Sequence, residues 1–222
     1  MMQDNTPADE TTIRVAIPEG YIALPLQGID DSISAATSLF EQLGPGGVSD
    51  AAPAVLRTLR TFLTRLSSLN VAYCGLGKHR SSDGRTMTST LVITASRYGE
   101  QRNPRLTLAD YLSAKEGSAG CLNVEIIEIS GNTILISDRV TRMPSPEFPT
   151  SGSEPDEPTE TEVYQIEAVV PSRDGSRIAV VELSTTFVES GEEYVPVVAA
   201  LAGTIEFIAA PNPHLGKSLL GI

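Results

Sequence analysis

Tryptophan is absent from these 222 residues, and aromatic side chains of all kinds make up only 5%. A surface that stacks sugars or bases is therefore not expected, because such surfaces are built on aromatic rings. Cysteine is almost as scarce. Cys74 and Cys121 are the only two, and their separation is no metal-ligand spacing. No metal and no cofactor is expected. No run approaches the roughly 18 apolar residues of a membrane span, so no membrane insertion is expected either. The start, MMQDNTPADE, lacks the basic and apolar segments of a secretory signal. These absences predict a cytoplasmic chain whose thiols are reduced and packed as small apolar groups.

Basic residues are also few. There are 16 Lys and Arg against 28 Asp and Glu, for a formal net charge of −12. Residues 1–12 hold Asp4, Asp9 and Glu10, and residues 145–162 hold Glu147, Glu154, Asp156, Glu157, Glu160 and Glu162. Neither segment contains Lys or Arg, so most of the excess charge belongs to these two stretches. The acidic balance argues against a nucleic-acid partner, which requires a basic stripe to neutralise phosphates.

Hydrophobic residues reach 41%, mainly Val, Ile, Leu and Ala, enough for a sizeable core. Residues 1–11 read as a disordered polar tail, 12–208 as one domain, 145–160 as an acidic disordered loop rich in proline, and 209–222 as a second tail. Within the domain, 12–17 and 21–26 read as short strands. Ile33, Ala36, Leu39, Phe40 and Leu43 mark a helix from Asp30 or Asp31 to Leu43. Ser49 or Asp50 opens the next helix, with Pro53 in its first turn. Leu56, Leu59, Leu63 and Leu66 form its stripe, broadened by Val55 and Phe62.

Strands follow at 70–78 and 85–97, joined by a turn over 79–84 in which Asp83-Gly84 supplies the left-handed position. Thr107 reads as the cap of a helix over 108–116. Residues 122–129 and 133–143 make a hairpin across Ser130-Gly131-Asn132, and 162–170 and 177–188 make another across an Asp174-Gly175 turn. A last helix begins in the acidic turn at Ser190 and is closed by Gly203; a strand over 204–208 follows. Strand pairs joined by short turns predict an antiparallel sheet of about seven to nine strands. Helices recurring between the pairs flank it, so the fold class is α+β, an α/β/α sandwich.

The stretch Ile17-Pro18-Glu19-Gly20-Tyr21, together with Tyr194-Val195-Pro196, Leu201 and Ile205-Glu206-Phe207, resembles the opening and closing elements of the PsbP/Mog-like superfamily. The resemblance spans about residues 12–208. It departs at Tyr21, where Trp is usual, and in the long helical region 30–69. Members of that superfamily are mostly binders, among them photosystem accessory subunits, a Ran-GTPase partner and secretion chaperones. The resemblance implies an accessory protein and supplies no shared active site.

No catalytic constellation is legible. His79 and His214 read as solvated residues in a turn and a tail. Glu125 and Glu128 point to opposite faces of one strand. Glu167 and Glu182 lie on neighbouring strands within reach of each other as an acid/base pair, though a solvated sheet surface accounts for both. Gly75-Leu76-Gly77-Lys78-His79-Arg80 places glycines before basic groups. The region Gly75–Arg85 is thus a candidate phosphate or small-ligand site, without the Walker spacing or a following helix.

Arg57, Arg60, Arg65, Lys78, Arg80 and Arg85 are dense enough to form a basic patch. The wet side of the long strand, Thr86, Thr88, Thr90 and Thr94, is a candidate recognition surface. The reading that follows is a non-enzymatic protein that contacts a protein partner. Its surface is the uncovered sheet face, through Arg57, Arg60, Lys78, Arg80, Arg85, Thr86, Thr88 and Thr90, or the groove beside the last helix.

Overall fold

Alternating apolar and polar residues organise the chain around a sheet with two unlike faces. The computed structural model describes residues 11–42, 47–115, 121–144 and 160–208, with backbone alone for 47–50, 121 and 122. In chain order the elements are β1 (Ile13–Arg14), β2 (Tyr21–Ala23), α1 (Ile29–Gln42), α2 (Gly47–Ser67), β3 (Val71–Arg80), β4 (Thr86–Arg97) and α3 (Pro104–Lys115). These are followed by β5 (Cys121–Ile129), β6 (Asn132–Pro144), β7 (Glu160–Pro171), β8 (Arg177–Thr185), a 3-10 turn (Val188–Tyr194), α4 (Val195–Gly203) and β9 (Glu206–Phe207). Seven strands form one open antiparallel sheet in the order β2-β3-β4-β8-β7-β6-β5, while β1 and β9 pair separately. Helices flank the sheet, and the α+β expectation is met.

One face carries Leu91, Ile93, Ile134, Ile166, Val181 and Leu183, all nearly inaccessible, against Tyr194, Val198, Leu201 and Ala202 of the last helical region. Burying each such side chain contributes about 1.5–3 kcal/mol, so this layer dominates stability. The opposite face has a smaller core in which Leu108 of α3 packs with Leu135, Val169 and Ile178. α1 and α2 pack on each other between β2 and β3.

Several boundaries differ from the sequence expectation. The first strand shrinks to two residues because Thr204 Oγ1, not a ladder partner, accepts the Ala16 amide at 3.1 Å. β2 ends early because Pro25 has no N–H to continue it. α2 begins at Gly47, which places Pro53 inside the helix rather than in its first turn. Val55 and Phe62 do not broaden the buried stripe; they remain 42% and 40% exposed.

Thr107 is not a cap. Asn103 caps α3 by accepting the Arg105 amide at 2.9 Å, with Pro104 as the first helical residue, and Thr107 is buried one turn later. The expected helix from Ser190 divides into the 3-10 turn and α4, with Pro196 near the start of the latter. Residues 1–10, 145–159 and 209–222, read above as tails and an acidic loop, lie outside the described residues, as does His214. Glu160 and Glu162 belong to β7.

The β7–β8 turn closes on Asp174. Its Oδ1 accepts the Ser172 hydroxyl at 2.6 Å, the Ser176 amide at 3.1 Å and the Ser176 hydroxyl at 2.9 Å. These bonds, the Ser172 hydroxyl foremost, hold the carboxyl down to about 2 against a smaller opposing effect of burial. A depressed carboxylate contributes stability above its unfolded value near 4, and that contribution is lost as pH falls toward 2. In urea unfolding between pH 5 and 2, the stability gap between the natural chain and Asp174→Asn is expected to shrink steadily. A gap that stays constant over that range would refute the assignment.

Candidate functional site

The register of β3 on β4 decides which predicted residues meet. Leu76 pairs with Thr90, Lys78 with Thr88, and Arg80 with Thr86. Alternation sends all six side chains to the α3 side of the sheet. Lys78, Arg80, Thr86 and Thr88 are exposed there, and Thr90 is half-buried. Neither Lys78 nor Arg80 has an ion-pair partner among the described residues. The predicted period of two along β4 is thus present, with Met87, Leu91, Ile93 and Ala95 buried on the other side.

The rest of the predicted basic patch lies elsewhere. Arg57 and Arg60 stand on α2, where Arg60 is held 2.8 Å from Asp30. Arg85 turns to the α4 side, pairing with Asp83 at 2.6 Å and reaching Ser190 Oγ at 3.3 Å. Next to it, the amide and hydroxyl of Ser82 each donate to Glu193 at 2.9 Å, which ties the hairpin tip to the 3-10 turn.

Beyond Thr88 and Thr90 the sheet continues into β8 and β7 and leaves a hollow of about 500 Å³, lined also by Leu76, Met143, Val163, Ser184 and Thr186. Leu76 and Met143 are 47% and 40% exposed. Ser184 and Thr186 could not be read as neighbours of Thr90 beforehand, because the β4–β8 pairing joins strands far apart in the chain. α3 covers the sheet only toward its other end.

At the boundary between covered and bare sheet lies a charged cleft. Glu167 and Glu182 stand directly opposite each other on β7 and β8. Lys115, from the last turn of α3, forms an ion pair with Glu167 Oε2 and lies 5.2 Å over the Tyr111 ring. The other Glu167 oxygen is buried without a well-formed hydrogen bond, although the Tyr111 hydroxyl interacts with the carboxylate. Burial first, then the Glu167 charge, pushes the Tyr111 hydroxyl far above its ordinary range.

Glu182 is exposed by area, yet the protein around its carboxyl, ahead of the Glu167 charge, raises its pKa. Arg139 donates to Gln165 Oε1 at 2.8 Å beside them. Two carboxylates matched by two cations leave the cleft balanced. Its volume of about 30 Å³ accommodates water rather than a metabolite.

His79 is not a solvated turn residue. It lies in β3, half-buried, 4.9 Å from the Tyr21 ring and 5.5 Å from that of Tyr194. Burial lowers its pKa. Ser89 shares this side of the sheet, but its hydroxyl bonds to Tyr21 at 2.9 Å and it is 4% exposed. No hydrogen bond joins Ser89 to His79, whose Nε2 has no partner among the described residues.

The glycines of the candidate phosphate loop have a different physical reason. Gly75 and Gly77 sit mid-strand with neighbours on both flanks, so their amides form no anion cradle. A Cβ on Gly77 would come 2.6 Å from His79 Nε2 and 2.8 Å from Ser89 Oγ, and one on Gly75 would strike the Tyr73 ring. They are small because aromatic rings lie across them.

The groove beside α4 holds about 860 Å³, and two of its three arginines are engaged. Arg14 pairs with Glu206 at 3.2 Å, and Arg177 lies 5.2 Å over Phe207. Glu125 and Glu128 do point to opposite faces, and Glu128 is held by Arg105 at 3.0 Å. Cys74 is buried, which pushes its thiol up to about 11 and leaves it unreactive. Among the described residues no three His, Cys, Asp or Glu side chains gather to hold a metal ion, and no helix is long and apolar enough to cross a membrane. Comparison with known proteins finds no family model that matches the chain and no curated protein that matches it.

Proposed function

We propose that this chain is a non-enzymatic accessory protein, an adaptor or chaperone of PsbP/Mog-like fold, that docks a partner protein on the bare half of its α3 face. The observation that carries the reading is the ordered row Leu76–Thr90, Lys78–Thr88 and Arg80–Thr86 beside an open hollow. Short hydroxyl side chains leave the sheet surface accessible, two cations without an ion-pair partner among the described residues set a positive rim, and Leu76 with Met143 supplies exposed apolar area. A partner that fits presents an apolar centre with an acidic margin.

The test is a photo-crosslinking side chain placed at Thr88 and, as control, at Glu206. Thr88 is expected to capture one dominant host protein that the control does not. Lys78→Glu with Arg80→Glu is expected to lower that capture about tenfold or more, as reversing two rim charges does. Both residues are exposed, so the melting temperature should stay within about 2 °C. Equal capture at both positions, or capture indifferent to the charge reversal, would overturn the reading.

A further inference from the structure

We propose that two copies of this chain join edge to edge through β5, extending each sheet into the other about a two-fold axis at Ile126. β5 is one end of the seven-stranded order, nine residues long, with no strand beyond it among the described residues. The opposite end, β2, is three residues long and stopped by Pro25. Short strands and proline are how edges are normally kept from pairing. β5 lacks both.

The phase of the hairpin shows which backbone groups are free. Ser130 and Gly131, at φ 54° and 81°, form a two-residue turn that makes Ile129–Asn132 its closing pair. In such a hairpin that pair exchanges both hydrogen bonds, and alternate pairs follow. Ile127 and Glu125 therefore aim their amides and carbonyls at β6. Glu128, Ile126 and Val124 aim theirs outward. The same residues project their side chains to the α3 face, where Val124 is 43% and Ile126 51% exposed. Free backbone and exposed apolar side chains thus coincide.

The segment Val124-Glu125-Ile126-Ile127-Glu128 is complementary to its own reverse. Centred on Ile126, antiparallel pairing sets Ile126 against its copy, Val124 against Glu128 and Glu125 against Ile127. No carboxylate meets a carboxylate. Centring on Glu125 would set two glutamates face to face, which is unfavourable. The chosen register makes about six intermolecular backbone hydrogen bonds. It also brings both α3 helices, each with Leu106 57% exposed, to the same side of the joined sheet. Edge pairing of this extent buries on the order of 1,000 Å², the low end for a specific interface, so the dimer is expected at roughly micromolar concentrations.

Sedimentation velocity of the full chain from about 2 to 200 μM is expected to show a monomer–dimer equilibrium. Ile126→Lys should weaken it more than tenfold, and so should Ile126→Pro, which removes only an outward N–H. Far-ultraviolet circular dichroism should remain that of the natural chain. In a Cys121→Ser background, Ile126→Cys should form a disulfide with its own copy, since hydrogen-bonded strand partners bring Cα atoms to about 5.5 Å. Val124→Cys should not, because its copies lie more than about 10 Å apart in this register. A chain that stays monomeric at 200 μM would overturn the proposal, and that is the result expected if its own terminal residues cover the edge. A dimer indifferent to Ile126→Lys, or equal disulfide yields at 124 and 126, would overturn it as well.

Discussion

Replacing Asp138 with alanine is expected to cost about 3 kcal/mol, because it leaves the buried Tyr164 hydroxyl without a partner and removes the charged acceptor of the Asn123 amide and side chain. Asp138 is 6% exposed on the α4 side of β6, amid the main core. Its carboxylate accepts the Tyr164 hydroxyl, the Asn123 amide at 2.9 Å and the Asn123 side chain at 3.1 Å. Tyr164 is itself 2% exposed, and burial, then its bond to Asp138, pushes its hydroxyl well above the ordinary range. Hydrogen bonds to a charged acceptor contribute about 1.5–3 kcal/mol, and an orphaned buried donor costs a further ~1–3. Tyr164→Phe removes one donor and should cost less, about 1.5 kcal/mol. The double variant should fall short of the sum by about 1 kcal/mol or more, since each single change strands the other's partner. Urea midpoints for the four chains measure this directly. If Asp138→Ala lies within about 0.5 kcal/mol of the natural chain, the network contributes little net stability and apolar contacts alone hold β5 to β7.

That network was illegible in the sequence, where Asp138 interrupts an apolar run and reads as an ordinary strand residue. What could be read was local. Asp83-Gly84, Ser130-Gly131 and Asp174-Gly175 marked three turns because each needs a positive φ, observed at 86°, 81° and 68° for the glycines. The threonines of β4 marked an accessible face because side chains alternate along a strand; the pairing of Lys78 and Arg80 with Thr88 and Thr86 was not legible, because β3 runs on through Arg80 where a turn over 79–84 was expected.

Longer-range placement was beyond reach. β8 inserts between β4 and β7, and nothing near Thr90 announces Ser184. Arg85 looked like a member of the basic patch, but its position at the hairpin tip sends it to the opposite side. Gly75 and Gly77 suggested a phosphate loop because the glycine spacing does not announce the rings that lie over them, Tyr73 and His79 from two residues along the same strand and Tyr21 from β2. The opposition of Glu167 and Glu182 was legible as a possible approach of neighbouring strands. The helix that neutralises it was not, since Lys115 reaches the cleft only once α3 has docked.

The docking of α3 depends on one glycine, and Gly175→Ala is expected to cost about 3 kcal/mol. Gly175 has a φ of 68°, where a Cβ costs about 1–2 kcal/mol. A Cβ there would also press on the Arg102 carbonyl more closely than folded chains tolerate, and come 3.0 Å from Thr107 Oγ1. Relief of such a contact costs a further ~1–3 kcal/mol. The two effects can be separated. Gly131 has a φ of 81° but nothing within 4 Å of its would-be Cβ, so Gly131→Ala carries the backbone cost alone, about 1–2 kcal/mol.

The excess at Gly175 also has a predicted location. The Arg102 amide bonds to Asp174 O at 2.7 Å, and the Thr107 hydroxyl to Gly175 O at 2.8 Å, so the turn clamps the start of α3 to the sheet. Pushing Arg102 away loosens that clamp and withdraws Lys115 from Glu167. Amide exchange in α3 should therefore accelerate in Gly175→Ala and not in Gly131→Ala. Equal destabilisation by the two substitutions, with α3 protected in both, would show that the Arg102 segment yields freely and that Leu108 alone anchors the helix.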